Sequence, residues 1–266
     1  MMKLKINHKT EYSFEEGPFS GLQQIRKTPY SDASQTVTDW SLHLKGASEE
    51  LNFTDQFANH VNLISIEPWT KKLVIECEGQ VEVKDNGGIL GYEHSNMYLW
   101  VWTEQTTSTK PGPRIKNLAK GLSLRNSIDE IHKFMELVNS SLEFQKNTTN
   151  AKTSAEEALK TGSGVCQDFT NIFIACCRLC GYPARYVSGF LLLKNKKVQE
   201  AMHAWAEVFI DGLGWVGFDT TNNISPDDKY VRVAIGRDYT DSAPIRGLTT
   251  GVKDECLSVS IMVSEQ

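Results

Sequence analysis

Three residues stand where their types could do covalent chemistry. Cys166 lies in Gly162-Ser163-Gly164-Val165-Cys166-Gln167-Asp168, a glycine-rich turn opening a segment of amphipathic helical pattern, and His203 and Asp219 follow. In cysteine chemistry the thiolate is the nucleophile, and a helix N-terminus favours that charged form. Free N–H groups and the helix dipole can draw a cysteine pKa from about 8.5 towards about 3.5–7.5. An imidazole can take the thiol proton and return it to a leaving amine, while a carboxylate fixes the imidazole tautomer. Together the three types imply attack on a carbonyl carbon through a thioester. The Cys166 backbone N–H would be the first donor to the oxyanion, and no second donor is evident. Singly, each residue type more often packs or caps; the joint placement carries the reading.

A hairpin must bring the second and third residues together. Period two along His203-Ala204-Trp205-Ala206-Glu207-Val208-Phe209 puts His203, Trp205, Glu207 and Phe209 on one face, and the same rule aligns Trp215, Gly217 and Asp219. A left-handed Gly212 in a three-residue loop would pair Phe209 with Leu213 and set His203 directly opposite Asp219. Directly opposed Cβ atoms lie about 4.5–5.5 Å apart. A slip of two residues leaves the pair diagonal on the same face, whereas a slip of one separates them. Gln167 and Trp205 are further candidates to line such a site.

The helix opened by Cys166 should present Phe169, Ile172, Phe173, Cys176 and Cys180 on one face and end at Gly181 and Pro183. Upstream, Ser127-Ile128-Asp129-Glu130 reads as a capping box before Ile131, Phe134, Met135 and Val138. Thr153-Ser154-Ala155-Glu156 repeats that signal for a short helix ending near Gly162. Strands are expected over 185–193, 203–210, 215–220 and 257–263. Residues 1–103 read as β structure, with strands over 3–14, 36–44, 61–68 and 72–84, and a β-sandwich is the expected packing. The breaker-rich stretch 106–113 marks a boundary between a β-rich domain at 1–105 and a catalytic core at 106–266.

A net charge of −5 and the lack of a basic stripe argue against nucleic acid or an anionic membrane as partner. Lys194-Asn195-Lys196-Lys197 reads as a solvated hairpin tip. No run approaches the roughly 18 apolar residues of a membrane span. The N-terminus lacks the apolar core and cleavage site of a secretory signal, so a cytoplasmic location is expected. Cys176-Cys177-Arg178-Leu179-Cys180 invites a redox or metal reading. Yet these cysteines lie near the helix C-terminus, where the dipole opposes a thiolate, and further zinc ligands are missing. They are read as core thiols of a reducing compartment. Gly162-Ser163-Gly164 lacks the Gly-Lys-Ser/Thr ending of a phosphate loop. The inferred chemistry calls for no cofactor and no metal.

With these residues in hand, the chain resembles the transglutaminase-like superfamily of cysteine enzymes, in the bacterial branch regarded as cysteine proteases. The resemblance rests on Gly164-Val165-Cys166-Gln167-Asp168-Phe169, Gly181-Tyr182-Pro183-Ala184-Arg185-Tyr186-Val187-Ser188-Gly189, His203-Ala204-Trp205-Ala206-Glu207-Val208 and Gly214-Trp215-Val216-Gly217-Phe218-Asp219. Gly236-Arg237-Asp238-Tyr239 and Ala243-Pro244-Ile245-Arg246-Gly247 continue it. The core match spans about residues 150–247, and the N-terminal part is more weakly similar to the branch's β-rich domain, notably over 55–83. The resemblance implies an α+β, papain-like core with Cys166, His203 and Asp219 as a triad. Thr220 stands where the family usually has proline, and Phe144 where it often has tyrosine.

Three functions fit this reading. The leading one is a cysteine peptidase or amidase acting on a protein or peptide. The second is transfer of the acyl group to an amine, which shares the first half-reaction. The third is an inactive binding module, against which the intact triad argues.

Overall fold

The computed structural model describes residues 1–92, 97–122, 127–193, 198–252 and 254–266; the expected hairpin tip at 194–197 lies outside them. In chain order the first strands are β1 (Met2–Phe14), β2 (Ser20–Ile25), β3 (Gln35–Lys45), β4 (Ala47–Thr54), β5 (His60–Ile66), β6 (Lys72–Val83) and the short β7 (Ile89–Gly91). Helices then enter: α1 (Pro113–Leu118) and α2 (Ile128–Ser140), followed by β8 (Glu143–Phe144), α3 (Ala155–Thr161), β9 (Ser163–Gly164) and α4 (Cys166–Leu179). The remainder is β10 (Ala184–Leu191), β11 (His203–Ile210), β12 (Gly214–Phe218), β13 (Tyr230–Gly236), α5 (Tyr239–Ser242), β14 (Ile245–Thr250) and β15 (Glu255–Glu265).

The N-terminal strands form two four-stranded antiparallel sheets, β15-β1-β6-β3 and β14-β2-β5-β4. Alternation along the strands supplies the packing faces: Phe14, Leu73 and Ile75 of the first sheet meet Ile25, Ile64 and Ile66 of the second in one buried core. This is the expected sandwich. β1 is long enough to serve a second core. Near its start Leu4 and Ile6, with Val81 and Val83 of β6, pack against Phe190 of β10 and Val231 and Val233 of β13. The β layer is therefore mounted directly on the sheet that contains β10 and β13.

The strand pairing cuts across the boundary expected at 105/106. β14 pairs with β2 and β15 with β1, so the C-terminus completes the N-terminal sheets. β7 crosses the other way, as the edge of a five-stranded sheet ordered β13-β10-β11-β12-β7. Edge and closing strands such as β4 and β14 carry mostly exposed, polar residues, so they lack the alternation that reveals a half-buried strand.

Against this sheet lies α4. Ala204, Ala206, Val208 and Ile210 of β11 pack on Phe169, Ile172, Phe173 and Cys176, while α1, α2 and α3 cover the helix's other side. Every residue from Asp168 to Arg178 is buried. The amphipathic expectation is thus corrected: a helix covered on all sides needs no polar stripe. It ends at Gly181, φ +84°, as its left-handed terminator requires.

The two capping expectations also change. Ser127 is the N-cap of α2, but its side chain makes no capping hydrogen bond. The box at α3 lies one residue later than read, between Ser154 and Glu157. That frees Glu156 to accept the backbone N–H groups of Arg114 and Ile115 at 2.9 and 3.0 Å, capping α1 from a neighbouring helix. Among the described residues no helix is long and apolar enough to cross a membrane.

Candidate active site

Cys166 is the first residue of α4, so its backbone N–H has no acceptor within the helix. The turn before it is held by Asp168, whose carboxylate folds back to accept from Val165 N at 2.8 Å and from the Thr149 hydroxyl at 2.6 Å. This fold-back explains a glycine two residues before the cysteine: a Cβ on Gly164 would come within 2.6 Å of the Asp168 carboxylate. Burial, partly offset by these hydrogen bonds, raises the Asp168 pKa.

His203 is the first residue of β11, at the end of the sheet, and lines the same cleft as Cys166, whose sulfur lies near enough to favour the charged ring. Its Nε2 lies 2.6 Å from Asp219 Oδ2. The register differs from the expected one by two residues. Phe209 pairs with Trp215 and Ile210 with Gly214, closing the loop over Asp211-Gly212-Leu213. Both Gly212 and Gly214 take positive φ, at +83° and +79°, which moves the turn one residue on. A Cβ on Gly214 would also strike the backbone of Gly91, the approach that lets β7 pair. Asp219 therefore reaches His203 diagonally from just beyond β12, on the same face.

Asp219 is fully buried and its oxygens are heavily used. Oδ1 accepts from the backbone N–H groups of Thr221 and Asn222 at 3.0 and 3.1 Å. Oδ2 accepts from Tyr230 Oη and Asn222 Nδ2, each at 2.7 Å, besides His203. Burial pushes this carboxyl up, but the hydrogen bonds from His203, Tyr230 and Asn222 outweigh it and hold it below the usual range. For His203, burial opposes the charged ring. The hydrogen bond to Asp219, with the nearby Cys166 sulfur, overcomes it and lifts the pKa to about 10, so the site favours a proton on this ring.

Of the two further candidates, Gln167 lines the cleft beside Cys166. Trp205 does not: it is buried behind His203, 6.2 Å between ring centroids, and packs edge-on to Tyr230 at 5.4 Å. A Cβ on Gly189 would come within 2.3 Å of the Trp205 ring, so glycine there makes room for it. Thr220 is buried, and the carbonyls of Thr220 and Thr221 accept from Asn139 Nδ2 of α2 at 2.8 and 3.0 Å, fixing the chain just past the aspartate. Phe144 is exposed and pairs in register with Gly164.

Sequence reasoning missed Tyr230, which lies 11 residues beyond Asp219 on another strand, and the carboxylate clamp made by Asn222. It also missed Tyr186 and Tyr239, which line the cleft; burial first, then the nearby Cys166 sulfur, raises both phenols. The cysteines at the far end of α4 are core residues. Cys176 and Cys177 are buried, and burial raises their thiols. Among the described residues no cluster of three or more His, Cys, Asp or Glu is arranged to hold a metal.

The architecture is shared with known proteins. The crystal structure of a candidate cysteine protease from Cytophaga hutchinsonii superposes with a TM-score of 0.75, at 21% identity, covering 100% of this chain and 98% of that one. Uncharacterized proteins of Mycobacterium leprae (ML0607) and Mycobacterium tuberculosis (Rv2569c) are 27% and 25% identical, spanning 94% and 98% of this chain and 94% and 92% of theirs. The bacterial transglutaminase-like N-terminal region matches residues 4–82, and the transglutaminase-like superfamily core matches residues 116–220. The chain thus carries, in tandem, a region that matches the bacterial transglutaminase-like N-terminal region and one that matches the transglutaminase-like superfamily core.

Proposed function

We propose that the protein is a cysteine hydrolase that cleaves an amide or peptide bond through a thioester on Cys166. The observation that carries this reading is the placement of Cys166 at a helix start in the same cleft as His203, whose ring the buried Asp219 holds at 2.6 Å. The thiol proton passes to His203, which Asp219 keeps favourable to charge, and the sulfur attacks the carbonyl carbon. The Cys166 N–H at the helix start donates to the oxyanion. His203 then protonates the leaving amine, and water attacks the thioester with His203 as base. Each proton transfer therefore passes through one ring: from the thiol to the leaving amine, and from the water to the departing sulfur. Water rather than an amine as acceptor is favoured by the resemblance to the protease branch, which agrees with the description of the Cytophaga protein.

The test is mass spectrometry of glutamine-containing peptides incubated with the enzyme and a primary amine. Cleaved or deamidated peptide as the main product supports hydrolysis. A dominant amine adduct would replace it with acyl transfer, and no product together with an unreactive Cys166 would leave a binding module.

A further inference from the structure

The cleft of about 420 Å³ at Cys166 and His203 does not end at the catalytic sheet. Its far wall is made by the N-terminal β layer: His8, Thr10 and Tyr12 of β1, and Lys27 two residues past β2. Lys27 is only 1% exposed, and His8 and Thr10 are 2% each, yet all three line the cavity. Lys27 Nζ donates to Thr10 Oγ1 at 2.5 Å, and the same oxygen lies 3.2 Å from His8 Nε2. A hydroxyl can accept twice and donate once, so Thr10 Oγ1 accepts from the ammonium and bonds His8 Nε2 in the direction set by the imidazole tautomer. His8 Nδ1 is buried without a partner.

The ammonium keeps further N–H groups beyond the bond to Thr10. The Cys77 thiol acts on it, but burial pushes that thiol up to about 11 and so keeps it neutral. Glu200, the carboxylate on the cleft rim, is held by Lys146 at 2.5 Å. Burial lowers the Lys27 pKa to about 8, which leaves it a cation at neutral pH, while burial drives His8 down to about 2 and keeps it neutral. Among the described residues, therefore, one positive charge is buried in the wall with a hydroxyl and no carboxylate as its hydrogen-bond partner, in a chain of net charge −5. An unpaired buried charge is costly, and an apolar residue would serve packing better. The arrangement is completed by an anion that arrives from outside. A single cation with neutral donors beside it matches one negative charge and so suits a carboxylate better than a dianionic phosphate.

We propose that Lys27, with Thr10 and His8, forms a carboxylate-binding subsite, so that a substrate presenting its amide to Cys166 also presents a free carboxylate to the N-terminal β layer. This rests on reading the cleft as the thioester site, and it gives the β layer a part in substrate selection. The carboxylate could be a peptide C-terminus or an acidic side chain.

Calorimetry on the full chain separates these, using acetyl-Ala-Gln-Ala with a free C-terminus, its C-terminal amide, and acetyl-Ala-Glu-Ala amide. At least one carboxylate peptide should bind about tenfold tighter than the neutral amide, as a charge-assisted hydrogen bond allows. The better of the two identifies the source. Lys27→Met should erase the preference while the melting curve shows a folded protein. Should that variant unfold, Thr10→Val, which removes the hydroxyl that orients the ammonium, should reduce the preference instead. Cys166→Ala should retain it, so binding is read apart from turnover: native protein that keeps the preference but turns over no peptide loses the hydrolase reading and not the subsite. Equal binding of all three peptides, binding of none, or a preference that survives Lys27→Met in the folded protein overturns the proposal.

Discussion

The two ends of α4 carry the same residue type in opposite circumstances. At the N-terminal end Cys166 is partly exposed and shares a cleft with a histidine whose charged form Asp219 favours. At the C-terminal end Cys176 and Cys177 are sealed in the core with their thiols raised by burial. The charge that complements the helix dipole there is Arg178, which is satisfied by carbonyls: those of Ala184 and Arg237 at 2.7 Å and of Trp102 at 3.0 Å. One end is arranged to move a proton and the other to hold still. The difference lies in what the chain brings to each end, since the helix and the residue type are common to both.

The sharpest way to break the comparison is at the reactive end. Cys166→Ala or His203→Ala should lower peptide turnover by about 10³-fold or more without loss of fold, measured by kinetics with a melting control. Asp219→Asn should cost about 10²–10⁴-fold, because the ring then loses its orienter and the stabiliser of its charge. It should also change stability against pH. His203 has a raised pKa in the folded state, so its contribution is complete below the unfolded value near 6.5 and is lost as pH rises towards about 10. Melting temperature in the parent should fall across that window from this group, and Asp219→Asn should flatten the fall.

At the quiet end the expected effects are on stability. Arg178→Met leaves three buried carbonyls without their donor and should destabilise the protein by about 2–4 kcal/mol in denaturant titration. Residual native protein should still react at Cys166. Tyr230→Phe removes one of the donors to Asp219 Oδ2 and should lower turnover by about tenfold with little change in melting. The smallest effect is expected at Cys176→Ala, about 1 kcal/mol of stability with turnover retained. Iodoacetamide labelling of the native protein at pH 6 sharpens the same contrast: Cys166 should react first, exposed Cys256 serves as an ordinary reference thiol, and Cys176 and Cys177 should remain unlabelled. Labelling of the core pair in folded protein would mean that the two ends differ less than the geometry indicates.

The reactive residues and the elements under them were legible because each has a local signature. Gly164-Val165-Cys166 carries a helix start, Gly181 and Pro183 carry its end, and alternation from His203 to Phe209 carries a strand whose odd positions share a face. Face membership survives a two-residue slip, so Asp219 was placed on the right side although its predicted partner was wrong. The exact register depended on which glycines turn left-handed, and Gly214 does so partly to admit β7 from far upstream. That is a tertiary fact.

Sequence alone determined the type of the elements that carry the three residues, the α+β order, and the residues whose chemistry could form a thioester, since propensity, periodicity and capping act within a few residues. Only the tertiary structure decided that α4 is covered on every side, that β14 and β15 return to complete the N-terminal sheets, that Tyr230 and Asn222 clamp Asp219, and that Lys27 shares a cleft with Cys166. Each of these depends on segments tens to hundreds of residues apart meeting through buried faces and hydrogen bonds, and such meetings leave no periodicity in the chain that makes them.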